Sequence, residues 1–182
     1  MFRAHGRVLL SVPFLCVLCS SLVINKRKQA EILILGLGSP ILTDDSVGLR
    51  VVDKIEETIS SNNNVDFYKV AISGIALLDV ISGYKHLILV DAVKTDESEI
   101  GTLSKHDVSD FEDSIHLSSP HQLNFPSVIE FAKKTGIPIP GKIDIFTIEV
   151  EDIYTFSEEC SPEIKKKIPE IAKEILKQSG LS

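Results

Sequence analysis

The chain has 182 residues, enough for one domain with a sizeable core, and 43% of them are hydrophobic and 25% charged. Residues 1–29 hold five basic residues and no acidic one, so residues 30–182 hold all 26 acids and 14 of the 19 bases and carry a formal charge of −12. This acidic body argues against nucleic acid as the main partner. Metal ions or a basic protein surface remain as candidate partners.

The first 29 residues form a separate extension, in which Val8–Ile24 is largely apolar and flanked by basic residues on both sides. Its 17 residues are at the lower limit for a membrane span. A signal-peptide core is a second interpretation, although no small-residue cleavage site follows it. A third interpretation is that the start of the chain is assigned too far upstream. We favour a spurious or dispensable extension over a membrane anchor. The predicted folded domain is therefore 30–182.

Three cysteines are present, which is too few for a disulfide framework when two of them lie in the extension. Cys16 and Cys19 form a CxxC, but their neighbours are uniformly apolar and no second ligand pair follows, which disfavours a redox or zinc site. Cys160 stands alone before the last predicted helix.

The first half of the body alternates predicted strands and helices. Ile32–Leu35 is a continuous apolar run before glycines, which is typical of a strand buried on both faces. Ser46–Ile59 has apolar residues at helical spacing, and Val65–Val70 alternates apolar and polar residues as a strand does. A short helix over Ile75–Ile81 and a central strand over His86–Asp91 follow.

The second half continues the alternation. The predicted elements are an edge strand in Gly101–Ser104, a loop over Asp107–Ser118, a helix from Pro120 towards Lys134 capped by Ser119, a strand over Ile143–Val150, and a helix from Pro162 to about Lys177 capped by Ser161. Pro169 is expected to kink or divide the last helix. Strands alternating with helices predict βαβ units and a mainly parallel sheet covered on both faces.

Three side chains are candidates for a metal site at one edge of this sheet. Asp45 follows the first strand, Asp91 ends the third, and His121 lies in the first turn of a helix. Ligands of open α/β sheets bind beyond the carboxyl ends of the strands. A helix N-terminus favours neutral imidazole, which leaves a ring nitrogen for metal. Such donors suit Ni, Zn, Mn or Fe(II), and three protein ligands leave room for water or substrate.

Each candidate also has a structural interpretation. Gly36 and Gly38 resemble a nucleotide-binding turn, but the third glycine of that motif is missing. We take Asp44 as a helix cap and Asp45 as the ligand. A single aspartate after a strand, such as Asp91, often bonds loop amides, and a single histidine is more often structural than a ligand. The remaining histidines of the body are interpreted as solvated: His86, His106 and His116.

The segments GLGSPILTDDSVG (36–48), LILVDAV (87–93) and SPHQL (119–123), in this order and spacing, resemble the hydrogenase maturation proteases. These are small endopeptidases that remove a C-terminal extension from the large subunit of [NiFe] hydrogenase. The resemblance covers about residues 31–178 and implies a three-layer α/β/α sandwich with a twisted, mostly parallel five-stranded sheet. It places the metal-contacting residues on Asp45, Asp91 and His121. Ser39 departs from the usual Asn, Ser46 from a frequent Gly, and Asp45 from a frequent Glu.

The resemblance implies that nickel arrives bound to the large-subunit precursor and that the protein holds no permanent cofactor. Asp45, Asp91 and His121 would recognise this nickel, and Asp45 or Asp91 would act as general base on water. Alternatively, a metal ion polarises the scissile carbonyl or supplies hydroxide. Serine, zincin and cysteine mechanisms are disfavoured, since the chain has no GxSxG, no HExxH and no predicted cysteine in the crevice.

Two other functions remain open at this point. One is a non-catalytic, nickel-sensing maturation chaperone that binds the immature subunit without cutting it. The other is an unrelated hydrolase on the same scaffold, because a fold does not determine a function. The resemblance implies a cytoplasmic location, with membrane contact only if residues 1–29 are retained.

Overall fold

The computed structural model describes residues 30–59, 64–95, 97–111 and 125–181. The extension 1–29, His116, the predicted helix start at Ser119 and Pro120, and His121 lie outside the described residues. The predicted boundary between residues 29 and 30 therefore stays a prediction. In the described part of the chain, no helix has both the length and the apolar composition that crossing a membrane requires.

Five strands form one sheet in the spatial order β2-β1-β3-β5-β4. Neighbouring strands run parallel except β4, which is antiparallel to β5. The strands are β1 (Ile32–Leu37), β2 (Val65–Val70), β3 (His86–Val93), β4 (Leu103–His106) and β5 (Lys142–Glu149). The predicted mostly parallel sheet is confirmed. The fourth strand is at the edge as predicted, but it begins after Gly101, whose φ of +80° places it in the preceding turn.

Within the described ranges, four α-helices connect or follow the strands. They are α1 (Val47–Ile59), α2 (Leu77–Ile81), α3 (Phe125–Thr135) and α4 (Pro162–Ser179), and 3-10 turns lie at Asp44–Ser46, Gly74–Ala76 and Val108–Phe111. The predicted division of the last helix at Pro169 is wrong, because α4 continues through it. Proline removes one backbone donor, and the buried residues Ile164, Ile171 and Ile175 on both sides of it anchor the helix against the core.

Alternate residues of the central strands face two different helical layers. Ile34, Ile88 and Phe146 pack in one core cluster with residues of α1 and α4. Leu33 and Leu87, one position earlier in β1 and β3, pack in a second cluster with residues of α2 and α3. Successive side chains of a strand point to opposite faces of the sheet, so neighbouring residues belong to different clusters. The predicted α/β/α sandwich is confirmed, and the side of the sheet that a polar residue faces follows from its position in the strand.

Candidate active site

The loop after β1 returns directly across the carboxyl end of the sheet. Gly38 has a φ of +141°, and a Cβ atom there would lie 1.9 Å from the carbonyl oxygen of Asp45. A Cβ atom on Gly48 would lie 2.5 Å from the carbonyl oxygen of Leu37 and 2.6 Å from that of Val90. Only glycine permits such approaches. The glycines of the first motif therefore let the start of α1 pack against the ends of β1 and β3.

Asp45 is buried in the 3-10 turn that precedes α1, with 2% of its surface exposed. Its Oδ2 accepts a hydrogen bond from the backbone amide of Ser39 at 2.6 Å. A short hydrogen bond from a backbone amide fixes the orientation of a carboxylate. Because the backbone of Ser39 is the donor, the departure from the usual Asn at this position leaves that interaction in place.

Asp91 is fully buried and lies inside β3, which continues for two residues beyond the predicted end. Its Oδ1 accepts a hydrogen bond from the backbone amide of Ala92 at 2.8 Å. In β3, Asp91 shares its side of the sheet with Leu87 and Leu89, which pack against α2 and α3. The carboxylate thus faces the layer that contains α3.

The structure places Asp45 and Asp91 at the same edge of the sheet. β1 and β3 are neighbours, with Gly36 opposite Val90, and Cα atoms of the turn containing Asp45 lie within 8 Å of those of β3. Among the described residues, no group of three or more His, Cys, Asp or Glu is arranged to hold a metal ion. The third predicted ligand, His121, lies outside the described residues, so the triad stays a prediction.

A histidine and a threonine extend this polar region along the sheet, and the sequence interpretation missed both. Thr147 of β5 is opposite Asp91 of β3 in the parallel register and is buried. His106 Nε2 lies 3.0 Å from Thr147 Oγ1. Burial lowers the pKa of His106, and the nearby carboxylate of Asp110 opposes this shift only in part. The prediction that His106 is a solvated loop residue is wrong, because it ends β4 and contacts β5. The only signal was a polar Thr in an otherwise apolar strand segment.

His86 was also predicted to be solvated and is instead partly buried in an ionic cluster around the buried Asp144. Its Nε2 lies 2.7 Å from Asp144 Oδ2, and the Lys105 and Lys142 ammonium groups lie 2.8 and 3.2 Å from the same carboxylate. Burial would raise the pKa of Asp144, but hydrogen bonds from Lys105, His86 and Lys142 outweigh it and lower that pKa. The cluster lies where β3 and β5 begin, at the opposite end from Asp91.

Asp44 does not cap the helix that follows it, so that prediction is wrong. Its Oδ1 accepts a hydrogen bond from the backbone amide of Ser161 at 2.7 Å, and Ser161 is the N-cap residue of α4. The side chain is fully buried, and its Oδ2 has no hydrogen-bond partner among the described residues. Asp44 therefore joins the first motif to the start of α4.

Cys160 lies closer to the first motif than the sequence indicated. Its Sγ is 3.3 Å from Ser46 Oγ, in the turn that also contains Asp45. Burial is the main cause that raises the pKa of the Cys160 thiol. A thiol with a raised pKa is a poor nucleophile near neutral pH. The contact is thus structural, and a cysteine mechanism remains disfavoured.

Comparison with known proteins identifies the family. The family model HycI, described as hydrogenase maturation protease, matches residues 49–178. The chain is 29% identical over 127 residues to the Hydrogenase 2 maturation protease of Escherichia coli, covering 68% of this chain and 75% of that protein. It is 28% identical over 162 residues to the hydrogenase expression/formation protein HupD of Thiocapsa roseopersicina, covering 85% and 72%.

Solved structures of the same family share the fold. The hydrogenase maturating endopeptidase HybD from Escherichia coli superposes with a TM-score of 0.66 at 26% identity, over 82% of this chain and 94% of that one. A hydrogenase 2 maturation peptidase from a Thaumarchaeota archaeon superposes with a TM-score of 0.59 at 26% identity, over 84% and 99%. The chain therefore belongs to the hydrogenase maturation protease family and is an endopeptidase.

Proposed function

We propose that this endopeptidase removes the C-terminal extension of a [NiFe] hydrogenase large-subunit precursor after nickel insertion, and so activates the hydrogenase. The observation that carries this proposal is the placement of two buried carboxylates, Asp45 and Asp91, at the carboxyl ends of neighbouring strands. This is the ligand-binding edge of an open α/β sheet. The name of the E. coli relative, a hydrogenase 2 maturation protease, supports a hydrogenase precursor as the substrate class.

Nickel enters this reaction as part of the substrate. Carboxylate oxygens and an imidazole nitrogen are suitable ligands for a divalent first-row metal, so Asp45, Asp91 and His121 would contact nickel that the precursor already holds. The backbone amides of Ser39 and Ala92 orient the two carboxylates before the substrate binds. A precursor without nickel would offer these ligands nothing to bind, which gives the protease a test for a loaded substrate.

The chemical step is hydrolysis of one peptide bond by an aspartic-type mechanism. One of the two carboxylates removes a proton from water while the water oxygen attacks the scissile carbonyl carbon. The proton is then delivered to the leaving amide nitrogen as the C–N bond breaks. The products are a new C-terminal carboxylate on the large subunit and a released tail with a free amino group.

The resemblance supports the cytoplasm as the place of cleavage, because the large subunit of this class of hydrogenase is assembled before export or membrane docking. Contact of the protease itself with a membrane would require residues 1–29.

The test is the intact mass of a nickel-loaded precursor and of a nickel-free precursor after incubation with the full-length chain. We expect a single defined C-terminal loss in the nickel-loaded sample and none in the other. A stable complex without any mass change would contradict the protease and favour a nickel-sensing chaperone. Equal cleavage of both samples would contradict the nickel requirement.

A further inference from the structure

The connection from β5 to α4 forms a short ribbon with the loop after β1, and we call residues 41–43 and 155–157 the rim ribbon. The Thr43 amide donates to the Thr155 carbonyl at 3.0 Å, and the Ser157 amide donates to the Ile41 carbonyl at 3.1 Å. The pair between these two bonds is an antiparallel bridge of Leu42 with Phe156. Two strand segments from distant parts of the chain are therefore paired at the carboxyl end of the sheet.

The hydrogen-bond pattern of the rim ribbon shows which way the backbone N–H and C=O groups of Phe156 point. They flank the bridge pair and do not connect its two members, so Leu42 and Phe156 form a non-hydrogen-bonded pair. The N–H and C=O of each residue then point away from the other segment. The Leu42 amide is bonded to the Ser39 carbonyl, whereas the Phe156 amide and carbonyl have no hydrogen-bond partner among the described residues. Within the part of the chain that the structure describes, Phe156 thus presents an open strand edge.

Large apolar side chains are exposed along this edge. Phe156 is 79% exposed, Tyr154 72% and Ile41 51%. They are three of the five large hydrophobic side chains that are exposed in the described part of the chain, and the other two, Ile75 and Phe131, are on different elements. Exposed apolar groups concentrated in one place indicate a contact surface.

The rim ribbon is directly connected to the candidate active site. The amide of Asp44, the residue before Asp45, donates to the Asp152 carbonyl at 3.0 Å, and the Thr43 hydroxyl donates to the Thr155 carbonyl at 2.8 Å. A chain bound along Phe156 would therefore pass beside the loop that carries Asp45. An endopeptidase needs such a surface, since it must hold several residues of its substrate in an extended conformation.

Acidic residues on both sides of the Phe156 edge favour a basic occupant. Residues 151–159 contain four acids and no base, within a body of charge −12. Glu159 pairs with Lys165 at 3.0 Å, and Lys94 and Arg50 donate hydrogen bonds to the backbone carbonyls of Glu151 and Glu158. Among the described residues, the exposed carboxylates of Glu151 and Glu158 themselves form no salt bridge. Complementary charge steers a partner to a surface and selects its register.

We propose that the Phe156 edge binds an extended, positively charged segment of the precursor as an added β-strand next to the scissile bond, with Tyr154 and Phe156 contacting its apolar side chains. This inference rests on the proposed function and deepens it. Main-chain hydrogen bonds to Phe156 supply affinity that does not depend on sequence, and the exposed side chains select the residues on either side.

The first test separates binding from chemistry with the full-length chain and a nickel-loaded precursor. Phe156→Ser and Tyr154→Ser should each raise KM about tenfold and change kcat less than about twofold, because they remove substrate contacts and leave both carboxylates in place. Phe131→Ser, on α3, is the matched control and should leave KM unchanged, since it removes an exposed aromatic ring of the same kind. Thermal unfolding of all three variants should match that of the parent protein.

The second test detects the added strand itself. Amide hydrogen exchange of Phe156, whose neighbours' amides are already hydrogen-bonded, should slow when the nickel-loaded precursor saturates the slow Asp91→Asn variant. The KM of the parent protein should rise with ionic strength. If the parent protein does not cleave the precursor, the proposed function fails. If it does cleave but Phe156→Ser keeps the parent KM, or Phe131→Ser raises KM equally, or the Phe156 amide stays unprotected in the saturated complex, only the Phe156 edge is overturned.

Discussion

Thr147 is placed directly beside Asp91 across neighbouring parallel strands, and its hydroxyl contacts the His106 ring at 3.0 Å. These residues lie on three adjacent strands, β3, β5 and β4, and their positions in those strands place them on the side of α2 and α3. The candidate site is therefore wider than the predicted triad. It includes the partly buried imidazole of His106, whose pKa is lowered by that burial.

The first prediction concerns the pH dependence that His106 contributes to stability. Its pKa in the folded protein lies below the ordinary value of 6.5, so the unfolded chain binds the proton more readily. This contribution to stability is complete above pH 6.5 and is lost as the pH falls through the folded pKa. Urea unfolding at a series of pH values should show a smaller loss in this range for His106→Gln, which keeps a hydrogen-bonding group for Thr147. If stability depends on pH in the same way for the parent protein and His106→Gln, this prediction is wrong.

The second prediction concerns the two buried carboxylates of the site. Asp45→Asn and Asp91→Asn keep an oxygen that can accept the hydrogen bonds from Ser39 and Ala92 but remove the negative charge that the proposed general base and metal contact require. We expect kcat for the nickel-loaded precursor to fall about 10²- to 10⁴-fold in each variant. Asp53→Asn, an acid on α1 paired with Lys69, serves as the control and should keep the parent rate. Parent-like kcat in either site variant would remove that residue from the mechanism.

The sequence was most informative where the pattern is local. Val65–Val70 was predicted with its observed bounds, whereas β1 and β3 each extend two residues beyond the prediction. The extension of β3 has a tertiary cause, because its ladder with β5 continues to Val93 opposite Glu149. Asp91 is consequently held inside the sheet by neighbouring strands. A strand boundary that depends on its partner has no signal in its own residues.

Contacts between distant residues account for what sequence interpretation missed. Asp44 bonds the backbone of Ser161, 117 positions away, and His106 bonds Thr147, 41 positions away. Asp44 looks like a helix cap because it precedes a helix, and only the fold shows that it serves a different one. The pairing of Phe156 with Leu42 is equally non-local. Residue type and local spacing identified the carboxylate edge, and the tertiary structure supplied its supporting contacts.

The third prediction tests why the first motif requires glycine. A Cβ atom on Gly38 would overlap the Asp45 carbonyl oxygen at 1.9 Å, and its φ of +141° is unfavourable for any other residue. Gly38→Ala should therefore lower the free energy of unfolding by about 3 kcal/mol or more. Gly74→Ala is the matched control, because Gly74 has a φ of +65° but no atom within 4 Å of the added group, and should cost about 1 kcal/mol.

The comparison of these two variants isolates the overlap from the backbone conformation, since both glycines have positive φ. Equal losses in chemical denaturation would mean that the loop after β1 adjusts to the added methyl group without cost. A larger loss for Gly38→Ala should be accompanied by a lower cleavage rate, because the displaced atom belongs to Asp45.

The fourth prediction concerns the ionic cluster at the opposite end of the sheet. Asp144 is buried and accepts hydrogen bonds from His86, Lys105 and Lys142, which lower its pKa below the ordinary 3.8. Its contribution is therefore complete above about pH 4 and is lost as the pH falls through the folded pKa. Asp144→Asn should lower the free energy of unfolding by about 1–3 kcal/mol at pH 7, and the difference from the parent protein should shrink in acid.

Glu130→Gln provides the control for this cluster, because Glu130 also has a lowered pKa but forms an exposed pair with Lys134 on α3. Exposed pairs contribute little, so this variant should unfold at nearly the parent denaturant concentration. Cleavage of the precursor by Asp144→Asn should be unchanged at temperatures where it is folded, since Asp144 lies at the end of the sheet away from Asp45 and Asp91. A loss of kcat without a loss of stability would show that the two ends of the sheet are coupled.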